Sequence, residues 1–269
     1  MTLPFSAARR LAALVAAAAV VVAASAPPAP AATVKTATSS NWAGYVVSGR
    51  KFSSVSGSWV VPTVNGASGG DAAFWVGLGG ASSASRALEQ VGTESDASSN
   101  GHTHYYAWYE LVPAAPVTLN VAIHPGDSIS AKVTAHVSKV TVSLKNNTTG
   151  KSVTKTLGMS RTDRTSAEWI AEAPTLVSPS GRSNVLPLAD FGTVNFTGAT
   201  DTTTGGHTGT IADSHWTAQQ VQLSPDAAGP GRFGRRFDPA PGGIVGATTS
   251  ALAGSGDAFS VTTTSATTP

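Results

Sequence analysis

Between Asp127 and Leu157 the chain alternates apolar and polar residues, first in DSISAKVTAHVS and then in KVTVSLKNNTTGKSVTKTL. A period of two puts every apolar side chain on one face of an extended strand. Such a stretch can bury one face of a sheet but offers no helical stripe. The NNTTG between VTVSLK and KSVTKTL supplies the turn of a hairpin. Further strand-like runs follow the same logic: SGSWVVPTV (56–64), AAFWVGLGG (72–80), HYYAWYELV (104–112), FGTVNFTG (191–198), TAQQVQLS (217–224) and DAFSVTTT (257–264). No stretch reads as a long amphipathic helix. Short strands spaced by turn clusters predict an all-β fold, an antiparallel β-sandwich.

The ends of the chain bear on its compartment. MTLPFSAARR carries two arginines and no acid, and an apolar run, LAALVAAAAVVVAA (11–24), follows it. SAPPAPAA then supplies small residues and prolines. This is the pattern of a secretory leader, and the run is shorter than the roughly 20 apolar residues of a membrane span. Residues 1–32 are therefore expected to be a signal peptide, with cleavage after Ala31 or Ala32, and the protein to be secreted. Without Arg9 and Arg10 the remainder holds 15 basic and 15 acidic residues. No basic stripe is present, so neither nucleic acid nor an anionic membrane is an expected partner. With no cysteine, an exported chain has no disulfides and relies on its packed core. One domain is expected over 33–264. PDAAGPGRFGRRFDPAPGG (225–243) reads as a surface-loop insertion, and 265–269 as a frayed tail.

Familiar catalytic motifs are missing. The sequence has no cysteine nucleophile, no HExxH and no phosphate loop. His102 and His104 would share one face of a strand, but no ligand cluster follows them, so they read as exposed residues at a strand entrance and no metal site is expected. Trp42, Trp75, Trp108 and Trp169 sit beside polar residues or glycines, as the walls of a cleft would. Glu110 lies in YAWYELVP, Gln90 in RALEQVGTES, and Glu168 in SAEWIAE. On a strand, Glu168 and Glu172 share a face but stand roughly 13 Å apart, too far to act as a carboxylate pair.

Taken in order, SSNWAGY, FWVGLGG, LEQVGTES, YAWYELVP and RTSAEWIAE resemble the glutamic peptidases, or eqolisins, along nearly the whole chain from about Ser40 to Val261. The resemblance implies a concanavalin-like jelly roll of two curved antiparallel sheets, one lining a concave substrate groove. It implies a catalytic glutamine and glutamate, which fall on Gln90 and Glu168. Groove tryptophans fall on Trp42 and Trp75, and a supporting acid on Glu110. Gly79 stands where the fungal pattern has an aspartate, and Tyr106 where it has another acid. The implied function is a secreted, acid-acting endopeptidase, pepstatin-insensitive, monomeric, needing no cofactor and taking polypeptides as substrates.

Such chemistry needs a base for water, a donor for the oxyanion and an acid for the leaving amine. A single carboxyl can be base and then acid, and a glutamine NH2 can be the donor. The rival expectation is a secreted carbohydrate-binding or glycan-hydrolysing sandwich. Trp42, Trp75 and Trp108 would then be sugar platforms, and Glu110 with Glu168 the carboxyl pair, at about 5–9.5 Å.

Overall fold

A computed structural model describes residues 34–67, 69–98, 100–177, 183–224 and 244–265. The expected leader, the insertion at 225–243 and the last four residues of the tail lie outside the described residues. The strands are β1 (Val34–Ser39), β2 (Trp42–Ser48), β3 (Phe52–Val60), β4 (Gly70–Gly79), β5 (Leu88–Ala97), β6 (Thr103–Val112), β7 (Val117–Ala122), β8 (Ser128–Ala135) and β9 (Lys139–Asn146). They continue as β10 (Ser152–Gly158), β11 (Ser166–Glu172), β12 (Thr175–Val177), β13 (Ser183–Val185), β14 (Thr193–Thr203), β15 (Thr208–Thr210), β16 (Thr217–Leu223), β17 (Ile244–Thr249) and β18 (Phe259–Ser265). No α-helix occurs among the described residues, and hence no helix long enough to cross a membrane.

One sheet runs in the order β10-β9-β8-β3-β14-β18-β17-β16-β2-β11-β4-β5-β6-β7. It folds over on itself, so that β3, β8 and β9 of one half pack on β4, β5 and β11 of the other, and β10 reaches β7. This is the expected sandwich. Alternation fills the space between the halves. Phe74, Val76 and Leu78 of β4 point inward, as do Val91 of β5, Ile129, Ala131 and Val133 of β8, and Val140, Val142 and Leu144 of β9. On the exposed side of the β9–β10 hairpin, Thr141 meets Thr156 at 3.0 Å and Ser143 meets Thr154 at 2.9 Å. These hydroxyl pairs are the polar half of the period-two pattern.

The segment TVKTATSS (33–40), absent from the strand-like runs named above, contains a strand, β1, paired in parallel with β16 from Val34↔Ala218 to Ser39↔Leu223. β17 engages β16 at Leu223↔Ala247, which leaves the rest of that edge open for β1. Trp169 is not a groove wall. Alternation in β11 sends Ala167, Trp169 and Ala171 into the core, where Trp169 Nε1 donates to the Ser56 carbonyl at 2.8 Å. Gly57 makes room for it: a Cβ there would lie 2.9 Å from Trp169 Cδ1. Nothing local in AEWIAE sets which face of that strand meets the core.

Candidate active site

The face opposite the core on β2-β11-β4-β5-β6 carries a second apolar cluster of Trp42, Val46, Ala73, Trp75, Leu88, Trp108, Ile170 and Val221. Strand register lays its polar groups in rows. One row places Glu172 between Trp42 and Ala73, with Glu94 and Tyr106 beyond Ala73. The next holds Ile170, Trp75, Gly92 and Trp108. The third runs Glu168, Gly77, Gln90, Glu110. Trp42 and Trp75 meet edge to face at 5.1 Å, inside the range of a favourable aromatic pair.

Glu172 is partly exposed and held from two sides. Trp75 Nε1 donates to its Oε2 at 2.7 Å, and Asn41 Nδ2 donates to its Oε1 at 2.9 Å. Burial pushes this carboxyl up to about 8, against the pull of the Trp75, Trp42 and Asn41 donors, and the neighbouring Glu110 charge adds to the rise. Gln90 is 4% exposed, and its Nε2 donates to Glu110 Oε2 at 2.6 Å. Its Oε1 is buried without a partner. Burial raises Glu110 as well, and the Gln90 donor opposes that. The structure therefore brings together Gln90, Glu110, Trp42, Trp75 and Glu172.

Glu168 is outside that group. Its side chain is 0% exposed and neither oxygen makes a hydrogen bond of good geometry. Burial drives its carboxyl well above the usual range. The Ser166 hydroxyl eases that slightly, while the Asp163 and Glu89 charges worsen it. In the row between Glu168 and Gln90 stands Gly77, and a Cβ on Gly77 would lie 2.8 Å from Trp75 Cζ3. The Trp75 ring thus leans over the ground between the two residues that the sequence reading paired. The charges that act on Glu168 come from Glu89 and Asp163, not from Glu110 or Glu172. Glu172, which sequence reasoning passed over, and Asn41, just ahead of Trp42, take the open position.

A wider set of acids borders the site. Burial pushes Glu94 up to about 8 and Asp96 up to about 7, with Asp71 raising both. Tyr106 shares a hydrogen bond with Glu94, and its phenol is raised by burial and by these carboxyls. A cavity of about 180 Å³ opens here between Glu94, His104, Tyr106, Trp108, Pro116 and Thr118. A larger one of about 360 Å³ lies on β3, β8, β9 and β10 of the other half, lined by hydroxyls and by Lys132 and Lys145. With no carboxyl in its lining, it offers no base.

Comparison with known proteins shows the family. The Peptidase A4 family profile matches residues 40–227. The chain belongs to the Peptidase A4 family. It is 35% identical over 201 residues to aspergillopepsin-2 of Aspergillus niger, covering 65% of this chain and 68% of that protein. It is 33% identical over 184 residues to scytalidopepsin B of Scytalidium lignicola, covering 66% and 67%. Scytalido-glutamic peptidase, solved with a transition state analog inhibitor, superposes with a TM-score of 0.67 at 27% identity, over 84% of this chain and 98% of that one. Aspergilloglutamic peptidase from Aspergillus niger gives 0.51 at 32% identity, over 72% and 99%. This A4 peptidase is accordingly a glutamic endopeptidase, a peptide-bond hydrolase.

Membership in the A4 family displaces the glycan reading. The family's acid at position 79 is also accounted for. Gly79 has φ +84°, and a Cβ on it would lie 2.5 Å from Asp163 Cβ. Asp163 fills that space from the loop before β11, with its carboxyl bonded to the Ser85 hydroxyl. Burial works against ionisation of Asp163, but the Ser85, Thr165 and Gly80 donors win and hold it below the usual range. Reinstating the aspartate as Gly79→Asp is expected to destabilise this A4 peptidase by about 3 kcal/mol or more, from backbone strain and the clash. That corresponds to a melting point lower by roughly 6–12 °C, readable by calorimetry near pH 4.

Proposed function

We propose that this peptidase is secreted and works in acid on extended polypeptides laid along the β2-β11-β4-β5-β6 face, with Glu172 and Gln90 as the pair that activates water. The carrying observation is the contrast on β11 between Glu172, partly open and bonded to Trp75 and Asn41, and Glu168, sealed and unbonded. A related structure described as a complex of an eqolisin with the tripeptide Ala-Ile-His superposes at a TM-score of 0.61, 26% identical. Peptide on the corresponding groove here is the natural reading. The leader pattern of residues 1–32 supports export. β1 begins at Val34, directly after the proposed cleavage point.

In this mechanism ionised Glu172 takes a proton from the water that attacks the scissile carbonyl. Burial keeps much of Glu172 protonated in acid, the Trp75 and Asn41 donors favour the carboxylate that takes the water's proton, and the same carboxyl then returns that proton to the leaving nitrogen. Gln90 is anchored by Glu110 through one N–H. Its second N–H is left for the oxyanion, and its unpartnered Oε1 for the attacking water. Trp75 fixes the direction of the Glu172 carboxyl, and Trp42 walls the groove beside it. The cavity by Tyr106 and Trp108 takes a substrate side chain.

Gln90→Ala tests the donor. Loss of one oxyanion donor is expected to lower kcat by about 10²–10³ with little change in KM. The assay is release of a fluorogenic peptide between about pH 2 and 7. Turnover within a few-fold of the parent enzyme removes Gln90 from the mechanism.

A further inference from the structure

A separate cluster lies beyond the Glu168 end of the groove, where the β14–β15 turn meets the loop from β15 to β16. His207 sits in TGGHTGT, and Asp213 and His215 in IADSHW. His207 Nε2 lies 2.8 Å from Asp213 Oδ2, and His215 Nδ1 lies 2.7 Å from Asp213 Oδ1. The two imidazole rings are 3.8 Å apart, tilted by 36°. The donor atoms of all three residues lie within 4.8 Å of one another. We infer that His207, Asp213 and His215 form a binding site for one divalent metal ion of the zinc class, a site distinct from the peptidase groove.

The surroundings are built to hold these three groups in place. The His215 backbone N–H donates to Asp213 Oδ1 at 2.8 Å. Arg50 Nε donates to the His215 carbonyl at 2.8 Å. Gly209 has no side chain, and a Cβ there would collide with the Asp213 carboxylate and with the Trp216 ring. The Trp216 ring packs on His207 with centroids 5.6 Å apart. Asp201 provides an independent sign. It lies opposite Gly209 on β14, is 1% exposed, and neither of its carboxylate oxygens has a hydrogen-bond partner. Asp213 is the neighbouring charge that acts on it. A buried carboxyl without a hydrogen-bond partner next to the cluster is a polar group that a bound ion or its water can satisfy.

Two imidazoles and a carboxylate are the ligand set of a zinc-type ion, with water in the fourth position. Ligands at about 2.0–2.1 Å in a tetrahedron stand roughly 3.3 Å apart, so the present contacts need open by only about half an ångström. His207 would bind through Nε2 with its proton on Nδ1, and His215 through Nδ1 with its proton on Nε2. Each ring would bind in its neutral form, with its one N–H on the nitrogen that points away from the ion. The ion would staple the β14–β15 turn to the loop that leads into β16.

The test is calorimetric titration of the whole protein with zinc chloride at about pH 6.5, paired with cobalt(II) absorption in the visible. One ion per chain, a tetrahedral cobalt spectrum, and at least tenfold weaker binding in both His207→Ala and His215→Ala are expected. Peptide hydrolysis in acid should be unchanged in both variants, which also shows that they fold. His207→Gln serves in place of any alanine variant that does not fold. Zinc binding that survives loss of either histidine overturns the inference. So does parent protein that takes up no zinc. Neither result depends on which glutamate performs the hydrolysis.

Discussion

Replacing Glu172 by glutamine is expected to lower kcat on a peptide substrate by about 10³-fold or more, while Glu168→Gln leaves turnover within a few-fold of the parent enzyme. The magnitude follows from removing the only group that both takes and returns the proton. Glutamine at 172 keeps the size of the side chain and one of its two hydrogen bonds, since its single oxygen can accept from Trp75 Nε1 while its NH2 faces Asn41. At 168 the carboxyl is sealed from solvent, and burial together with the Asp163 and Glu89 charges favours its protonated form. An amide of the same size replaces it without removing a base. Steady-state kinetics of the two variants at about pH 4, with circular dichroism to show both are folded, separates the roles. Abolished activity in Glu168→Gln, together with substantial activity in Glu172→Gln, would falsify the assignment.

Stability is expected to fall steeply as the pH rises from about 5 toward 8. Burial pushes Glu89, Glu94 and Glu172 up to about 8, Asp96 up to about 7 and Asp201 up to about 8. Glu168 is raised further by the same cause. Each group binds its proton more tightly folded than unfolded. The stability this confers is fully present below the unfolded value of about 4.3, and is lost as pH rises through the folded value. For Glu89, which is 0% exposed, a rise to about 8 corresponds to on the order of 4–5 kcal/mol across that window. Asp163 and Asp213, held below the usual range, act in the opposite sense and lose their contribution only in stronger acid. Melting temperatures measured from pH 3 to 8 should therefore peak in acid, and Glu168→Gln should flatten the neutral side. A melting point that climbs from pH 4 to 7 would overturn this picture. Ionisation of the buried acids therefore limits the folded enzyme from the neutral side.

The fold was legible because its signal is local. The alternation over β8, β9 and β10 and the turn at NNTTG state their own geometry. β1 was not legible, since TVKTATSS has no apolar face. It becomes a strand because β16 leaves an edge unfilled. In the site, Gln90 bonds Glu110 and Trp42 packs on Trp75, contacts between residues that the motifs single out. The glutamate did not resolve, because Glu168 and Glu172 lie on one face of one strand and look alike from within it. Only their neighbours distinguish them: the Asn41 and Trp75 donors bond Glu172, while Glu168 is sealed near the Asp163 and Glu89 carboxyls. The same reason hid Asp163: its place beside Gly79 is created by two segments more than eighty residues apart.

The strand order carries a consequence for how the chain comes to life. β11 lies between β2 and β4, yet it is made long after both. Until β11 inserts, β2 has no link to β4, and Gln90 and Glu110 stand on a partial sheet with no carboxyl from residue 172. A growing or truncated chain that ends before Glu172 is therefore inert. The last catalytic piece arrives as the wedge that closes the sheet, so hydrolytic power appears only with completion of the architecture. A protease arranged in this way gives its own nascent copies no active partner among unfinished chains.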